Sequence, residues 1–219
     1  MVVDWQAIDT VMLDMDGTLL DLHYDNYFWV QYLPTIYAEK KGLSIEEANA
    51  ILVPLFAEKQ GLIEWYCVEY WSEVLALDVN LYKRQLADKI CFRPGAKAFL
   101  QRLAAMDKSV WLVTNAHRAV LDLKCQVLPL AQNFSQLISS HDFGFPKEDQ
   151  RFWHSLQTHF PFEATRTLFI DDSVPVLRSA QTYGIQHLHA IALPDSQGEL
   201  KEPSEFEAIH HFDRLFPQA

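Results

Sequence analysis

Short apolar runs alternate with segments of helical periodicity over most of this 219-residue chain. A short apolar run without a turn former indicates a buried strand, whereas apolar residues at every third or fourth position indicate a helix. The predicted strands cover residues 10–14, 110–113, 137–139, 168–170 and 186–193. The helices predicted beside them cover residues 94–106, 118–128, 149–159 and 174–183. Because strands and helices alternate, the pattern predicts an α/β fold with a parallel sheet and right-handed crossovers.

Prolines and glycines mark the ends of several of these elements. Pro94 is expected in the first turn of its helix, and Gly184 is expected to close the helix before it. A turn-rich loop is predicted over 194–203, followed by a final helix. The apolar residues of that final helix are expected to dock on the sheet; they are Phe206, Ile209, Phe212 and Leu215.

The segment 25–90 differs from the rest because it contains no convincing strand. Helices are predicted over 26–41, 44–58, 62–77 and 81–90. Pro34 is expected to kink or restart the first of them, and Gly42 to end it. Ser44 and Glu47 form a capping-box pattern at the start of the second. We therefore predict a core made of residues 1–21 and 92–219, with a helical domain of residues 22–91 inserted into it.

Composition narrows the functional classes. The formal charge of −11 argues against a nucleic-acid polymer as partner, because such a protein needs a basic face. The three cysteines are scattered and lack metal-ligand spacing, which favours reduced residues in a cytoplasmic protein. Neither a signal peptide nor a membrane-spanning run is evident, so no membrane association is predicted. Oligomeric state is left open between a monomer and a weak homodimer.

Two carboxylates follow the first predicted strand. Asp14 and Asp16 stand two positions apart at its end, and Gly17 suggests that the backbone bends there. One interpretation is that one acid caps a turn while the other is solvated. The other interpretation is a cation site, because open α/β sheets bind ligands at this edge and neighbouring carboxylates repel each other without a cation. A hard divalent ion would prefer such oxygen ligands.

Further polar residues follow the later strands. Thr114 and Asn115 end the second, Lys147 lies in a loop, and Asp171 and Asp172 end the fourth. Gathered at one edge, these groups and the first acid pair suit Mg²⁺ and a phosphoryl group. The metal and the lysine would offset the charge of a transferring phosphoryl group. One carboxylate could attack phosphorus to form an aspartyl phosphate.

These residues, in this order, resemble the four motifs of the haloacid dehalogenase superfamily of phosphatases. The matching stretches are Asp14-Met15-Asp16-Gly17-Thr18, Thr114-Asn115, Lys147 and Asp171-Asp172. The resemblance covers almost the whole chain. It implies a Rossmann-like core with helices on both faces of the sheet, a helical cap after the first motif, and Mg²⁺ as cofactor.

The resemblance also implies roles for the first two motifs. Asp14 would be the nucleophile and a metal ligand. Asp16 would act first as general acid and then as general base, and its backbone carbonyl would bind the metal. Thr114 would bind the phosphoryl group with help from Asn115. An acid at position 16 indicates phosphate transfer, because the dehalogenases of this superfamily lack one there.

The remaining motifs complete the implied site. Lys147 would link the nucleophile to the phosphoryl oxygens. Asp172 would bind magnesium directly, whereas Asp171 would act through water or through Lys147.

A narrower resemblance is to bacterial GMP/IMP nucleotidases, and it implies hydrolysis of purine 5′-monophosphates. The stretches that carry it are 25–29, 65–67, 70–73, 114–117 and 145–151. Aromatic residues of the cap could stack on a purine base, or they could form the core of the cap. Those nearest the first motif are the predicted substrate contacts: Tyr24, Tyr27 and Phe28, with Trp29, Trp65 and Tyr66 as further candidates. Arg118, beside His117 at a helix start, is predicted to meet an anion, although a surface role is also open.

Other functions are open at this stage. A phosphatase for a sugar phosphate or phosphoglycolate would use the same motifs. A phosphomutase would need cationic cap groups that hold a bisphosphate, and no suitable Lys/Arg cluster is evident. A phosphate-accepting receiver domain has similar groups, but there the acid pair comes first in the chain. A binding protein without catalysis is disfavoured because no motif residue is missing.

Overall fold

The computed structural model describes residues 2–201 and 205–217 and contains a six-stranded sheet. The strands are β1 (Thr10–Leu13), β2 (Ser109–Thr114), β3 (Gln136–Ser139), β4 (Thr167–Asp171), β5 (His187–Ile191) and β6 (Ala208–Ile209). Their order is β3-β2-β1-β4-β5-β6, and every neighbouring pair is parallel. This confirms the predicted α/β fold.

Nine α-helices accompany the sheet within the described ranges. They are α1 (His23–Tyr27), α2 (Leu33–Lys41), α3 (Ile45–Lys59), α4 (Val68–Leu75), α5 (Val79–Gln85), α6 (Ala96–Ala104), α7 (Arg118–Val127), α8 (Gln150–His159) and α9 (Val174–Tyr183). None of the described helices is both long and apolar enough to cross a membrane.

The sheet separates two hydrophobic clusters, because successive side chains of a strand point to opposite faces. Met12 belongs to the cluster that contains Trp153 of α8 and Leu177 of α9. Val11 and Leu13 belong to the other cluster, which contains residues of α6, α7 and the helical segment. Helices therefore cover both faces, and the central strand β1 is wholly buried.

The strand register sets the position of the polar residues. Leu13 lies opposite Leu112 of β2 and Ile170 of β4, so all three strands end at the same edge of the sheet. The N–H of Asp14 donates to the carbonyl of Ile170 at 3.0 Å, which extends the pairing by one residue. The side chains that follow β1, β2 and β4 therefore emerge side by side.

The end of the chain differs from the prediction of one final helix. Residues 208–209 form β6, and a 3₁₀ turn covers Phe212–Leu215. The strand forms because the outer edge of β5 needs partners: the N–H groups of Ala190 and Ala192 donate to the carbonyls of Glu207 and Ile209. The four apolar residues are nevertheless buried, as expected. Part of the predicted loop 194–203 lies outside the described residues.

The helical segment between β1 and α6 also departs in detail from the predicted helices. The first helix begins at His23 and contains a π-helical turn, Phe28–Tyr32, before α2, whose first turn holds Pro34. Gly42 ends α2 with a φ of 67°, and Ser44 and Glu47 form the predicted capping box. The helix predicted over 62–77 is instead a 3₁₀ turn, Ile63–Tyr66, followed by α4.

Local hydrogen bonds explain these shorter elements. The Cys67 side chain accepts the N–H of Tyr70 and so caps α4 where the longer helix was predicted to continue. Asp78 caps α5 in the same way, and a 3₁₀ turn at Ala87–Lys89 follows that helix. Gly95 caps α6 at a φ of 80°, so Pro94 precedes that helix and does not lie in its first turn.

Candidate active site

A cavity of about 300 Å³ lies between the carboxyl edge of the sheet and the helical segment. Its floor contains every polar motif residue predicted from the sequence: Asp14, Asp16, Thr114, Asn115, Lys147, Asp171 and Asp172. Its roof consists of residues from the helical segment, including Leu22, Asn26, Trp29, Trp65, Tyr66 and Val68. Residues distant in sequence thus line one cavity.

Lys147 is the central cation of the floor. Its Nζ donates to Asp14 Oδ1 at 2.6 Å, to Asp171 Oδ2 at 2.7 Å and to the carbonyl of Val113 at 3.0 Å. Burial alone would lower the pKa of this lysine, but the two carboxylates outweigh burial and raise it. Lys147 therefore remains charged and holds both acids in fixed positions.

Asp14, Asp171 and Asp172 together fit a hard divalent cation. One carboxylate oxygen from each lies within 4.8 Å of the others. Burial raises the pKa of Asp14 to about 7 and holds that of Asp172 well above its usual range, despite Lys147. With all three carboxylates ionised, as metal binding requires, the three acids and one ammonium carry a charge of −3 + 1 = −2, which a divalent ion would neutralise. All the side-chain donors are oxygens, the ligand type that Mg²⁺ prefers.

Gly17 is part of the same arrangement. Its φ is +82°, and a Cβ placed on it would lie 2.6 Å from Cγ and Oδ2 of Asp172. Only a residue without a side chain lets the backbone after Asp16 approach this carboxylate so closely.

Asp16 belongs to a separate buried ion network. Its Oδ1 accepts from Lys124 Nζ at 2.6 Å, and the same ammonium donates to Asp25 Oδ2 at 2.6 Å. Asp25 Oδ1 in turn accepts from Lys83 Nζ at 2.7 Å. The network therefore runs from β1 and α7 to α1 and α5 of the helical segment. Burial raises the pKa of Asp16 to about 6, with Lys124 opposing the rise, so its carboxyl group can exchange a proton near neutral pH.

Asn115 connects the floor to the roof. Its Oδ1 accepts the N–H of Lys147 at 2.9 Å, and its Nδ2 donates to Glu148 Oε2 at 2.9 Å. Glu148 Oε1 accepts from the Tyr66 hydroxyl at 2.7 Å. The neighbouring Thr114 hydroxyl accepts the N–H of Ala116 at 3.0 Å, which orients its oxygen at the end of β2.

The predicted aromatic contacts Tyr24, Tyr27 and Phe28 do not line the cavity. Tyr24 and Phe28 are 1% and 0% exposed, and their rings face the ammonium of Lys83. The ring of Tyr27 lies against Tyr32 and the ammonium of Lys89. Helical geometry explains this correction: 24 and 28 share the inward face of the helix, while the adjacent face, with Leu22, Asp25, Asn26 and Trp29, meets the cavity.

Arg118 also lies away from the cavity lining. Its guanidinium pairs with Asp142, and Nη1 donates to the carbonyl of Leu137 at 3.3 Å. These partners hold it along β3, outside the cavity lining. The preceding His117 does line the cavity.

Sequence reasoning missed four charged residues: Asp25, Lys83, Lys124 and Glu148. Asp25 and Glu148 fall within the stretches of the narrower resemblance, which marked them without giving them roles. Lys124 shares a helical face with the buried Val120 and Leu121, and that placement was the available indication of burial. Lys83 likewise shares a helical face with the buried Val79.

The family is decided by comparison with known proteins. Residues 8–184 match the model of the haloacid dehalogenase-like hydrolases. The chain belongs to this family. It is 39% identical over 215 residues to the GMP/IMP nucleotidase YrfG of Escherichia coli (strain K12), covering 98% of this chain and 97% of that protein. The protein of that name from Shigella flexneri matches with the same identity and coverage.

Solved structures of the family share the fold. The HAD phosphatase from Thermococcus onnurineus has a TM-score of 0.79 at 18% identity and covers 95% of this chain and 96% of its own. The L-2-haloacid dehalogenase PA0810 has a TM-score of 0.63 at 14% identity, covering 95% and 97%. The HAD-hydrolase YfnB from Bacillus subtilis, described as bound to magnesium, has a TM-score of 0.66 at 20% identity, covering 95% and 96%. At these identities the likeness shows the fold alone.

Proposed function

We propose that this hydrolase is a magnesium-dependent 5′-nucleotidase that removes phosphate from GMP and IMP through an aspartyl-phosphate intermediate. The observation that carries the proposal is the floor of the cavity: Asp14 is held by Lys147, with two further carboxylates beside it and Asp16 close by. The identity of 39% to a GMP/IMP nucleotidase over nearly the whole chain supports the substrate class.

Asp14, Asp171 and Asp172 would hold the magnesium ion, together with the backbone carbonyl of Asp16. When bound, the ion would supply positive charge that offsets the phosphoryl oxygens. Lys147 adds a second fixed cation next to the nucleophile, so the dianionic phosphate is attracted despite the negative charge of the whole chain.

In the first step, the carboxylate of Asp14 attacks phosphorus and the bond from phosphorus to the ester oxygen breaks. Asp16 donates its proton to that oxygen, so the nucleoside leaves as a neutral alcohol. The hydroxyl of Thr114 and the amide of Asn115 lie at the end of β2, where they can hold the phosphoryl group.

In the second step, water attacks phosphorus and the bond between phosphorus and Asp14 breaks. Asp16, now deprotonated, takes a proton from that water. Inorganic phosphate leaves, and both carboxyl groups return to their starting states. The ammonium of Lys124 fixes one oxygen of Asp16 throughout, so this acid is positioned before the substrate arrives.

Residues 22–91 are proposed to act as the cap that covers the substrate. The chain leaves and re-enters the core at adjacent points: the N–H of Asp21 donates to the carbonyl of Cys91 at 3.0 Å, and Leu20 bridges Phe92. Within this cap, Trp29, Trp65 and Tyr66 line the cavity and offer aromatic faces to a purine base. These three are the further candidates from the sequence, whereas Tyr24, Tyr27 and Phe28 do not line the cavity.

Release of inorganic phosphate tests the proposal. The panel is GMP, IMP, AMP, CMP, dGMP, glucose 6-phosphate and phosphoglycolate, each with magnesium. GMP and IMP are expected to give the highest kcat/KM, and Asp14→Asn is expected to abolish turnover without changing the circular dichroism spectrum. A sugar phosphate in the lead would retain the chemistry and reject the substrate assignment. Retained activity in Asp14→Asn would reject the nucleophile.

A further inference from the structure

A second group of metal-ligating side chains lies beside the cavity, and the mechanism above does not use it. Cys67, His117 and His141 each offer a ligand atom, and these atoms lie within 4.8 Å of one another. Glu69 joins them: its Oε2 is 2.7 Å from His117 Nε2 and 3.8 Å from Cys67 Sγ. A thiol, two imidazoles and a carboxylate are the donor types of four-coordinate zinc sites.

His141 has a ligand atom that no described group satisfies. Its Nε2 is buried and has no hydrogen-bond partner in the described ranges. The imidazole also interacts with the backbone carbonyl of Asn115. A neutral histidine whose second nitrogen is unpaired can present that nitrogen to a metal. A buried nitrogen that stays unpaired destabilises the fold.

Cys67 is held with its sulfur towards the same point. It caps α4, and its Sγ accepts the N–H of Tyr70 at 3.4 Å. Burial and the nearby Glu69 carboxylate raise the pKa of this thiol, although the N–H from Tyr70 favours the thiolate, so a metal would bind by displacing the thiol proton. The other two cysteines, Cys91 and Cys125, belong to no such group within the described residues.

His117 would change its protonation on binding. Its Nδ1 accepts the N–H of Ala119 at 3.3 Å, so its proton lies on Nε2 and is donated to Glu69. A metal at Nε2 requires that proton to move to Nδ1, and the weak bond from the Ala119 N–H is then lost because a protonated Nδ1 cannot accept it. The thiol of Cys67 would also release its proton, so binding is expected to weaken as pH falls.

We propose that Cys67, His117 and His141, with Glu69 as the fourth ligand, form a site for a soft divalent transition-metal ion of the zinc class. The thiolate and imidazoles separate it chemically from the all-oxygen group at Asp14, Asp171 and Asp172.

The position of the site determines its consequence. Cys67 and Glu69 belong to the helical segment between β1 and α6, whereas His117 and His141 follow β2 and β3. A metal bound to all four would fasten this segment to the core at the wall of the cavity, since His117 lines it. The ion would hold the cavity closed and slow its opening for substrate entry and product release.

Cobalt(II) titration of the full chain tests the site, with saturating Mg²⁺ present to occupy the carboxylate group. Co²⁺ reports thiolate ligation through a sulfur-to-metal charge-transfer band, and it reports tetrahedral geometry through the intensity of its visible bands. One equivalent is expected to bind with both signatures. Cys67→Ser and His141→Gln are each expected to weaken binding by at least about 100-fold, because even partners outside the ligand set contribute 10- to 100-fold.

Cys125→Ser is the matched control, since it removes a partly buried thiol from another helix and should bind cobalt like the wild type. Absence of the charge-transfer band in the wild type overturns the proposal. A band that survives Cys67→Ser, or that disappears with Asp172→Asn, also overturns it because the metal would then sit elsewhere. If one ligand variant fails to fold, the other variant and the wild-type spectrum still decide the outcome.

Turnover tests the closing effect separately. Zn²⁺ is expected to slow the wild type and the Cys125→Ser control but to leave Cys67→Ser active. Equal inhibition of all three would reject closure even where cobalt binding is confirmed. Failure of the substrate panel would leave the cobalt experiment unaffected, because its readout is spectroscopic.

Discussion

Gly17→Ala is the most informative single substitution, because it adds one carbon next to a proposed magnesium ligand. The new Cβ would lie 2.6 Å from Asp172, whereas ordinary contact begins at 3.4 Å. The carboxylate or the backbone must therefore move by about 3.4 − 2.6 = 0.8 Å. Magnesium binds oxygen at about 2.0–2.1 Å with little tolerance, so this shift is large enough to break the bond.

Gly42→Ala provides the matched control. Gly42 also has a left-handed backbone, with a φ of +67°, but nothing lies within 4 Å of its added Cβ. Both variants should lose about 1–2 kcal/mol of unfolding free energy from the left-handed conformation alone. Only Gly17→Ala should also lose catalysis, by roughly 100-fold, which is the usual effect of a misplacement near 1 Å.

Chemical denaturation measures the stability of both variants, and phosphate release against magnesium concentration measures their function. Gly17→Ala is expected to need far more magnesium for half-maximal activity, whereas Gly42→Ala should match the wild type. Equal activity and equal magnesium dependence in the two variants would refute the assignment of Asp172 as a ligand. Equal loss in both would show that the effect comes from the backbone and not from the contact.

Three further predictions test other parts of the structure. Lys124→Met removes the cation shared by two buried carboxylates and should lower the unfolding free energy, measured in urea, by about 3–5 kcal/mol. Lys97→Met, at an exposed position, is the control and should lower it by less than about 0.5 kcal/mol. Similar losses in both variants would contradict the buried network. Trp65→Ala should raise KM for GMP by about 5- to 150-fold, the equivalent of 1–3 kcal/mol of stacking. Turnover of ribose 5-phosphate, which has no base, should stay unchanged. A parallel loss of activity on both substrates would place Trp65 outside the base site. In chelator, burial raises the pKa of Asp14 to about 7, against an ordinary value of 3.8. Between these two values the folded protein keeps a proton that the unfolded chain has already lost, so rising pH favours unfolding. The melting temperature should therefore fall as pH rises through about 5 to 7. Asp172→Asn should flatten that fall, and magnesium should reverse it for the wild type; a wild-type melting temperature in chelator that rises over this range would contradict the raised pKa.

The ion network at Asp16 links the proposed cap to the proposed general acid. Lys124 binds a carboxylate from the core and a carboxylate from α1 with equal distances of 2.6 Å. Lys83 then pairs with the second of these and lies against three aromatic rings. Because breaking such a buried pair leaves an uncompensated charge, displacement of α1 would disturb the partners of Asp16. Cap position and the orientation of the proposed general acid are therefore coupled.

The fold and the floor of the site follow from short-range patterns in the sequence. Short runs at 10–13 and 168–170, made mostly of apolar residues, become buried strands, and this pattern needs no information from elsewhere in the chain. In a parallel sheet, residues that follow successive strands meet at one edge. The order of the motifs was therefore enough to predict which carboxylates, which amide and which lysine lie together. The capping box at Ser44 and the left-handed Gly42 are likewise local, since their partners lie within a few residues.

Only the tertiary structure decided which side chains of the helical segment face the cavity and which charges are buried. Phe28 and Trp29 are adjacent aromatic residues of the π-helical turn, yet one lies in the core and the other lines the cavity, because packing fixes the rotation of that turn. Burying a charged lysine is costly unless an acid pairs with it. Lys83 is buried because its ammonium pairs with the carboxylate of Asp25, which is distant in sequence. The cluster at Cys67, His117 and His141 forms for the same reason: its members approach one another only when the helical segment docks on the sheet.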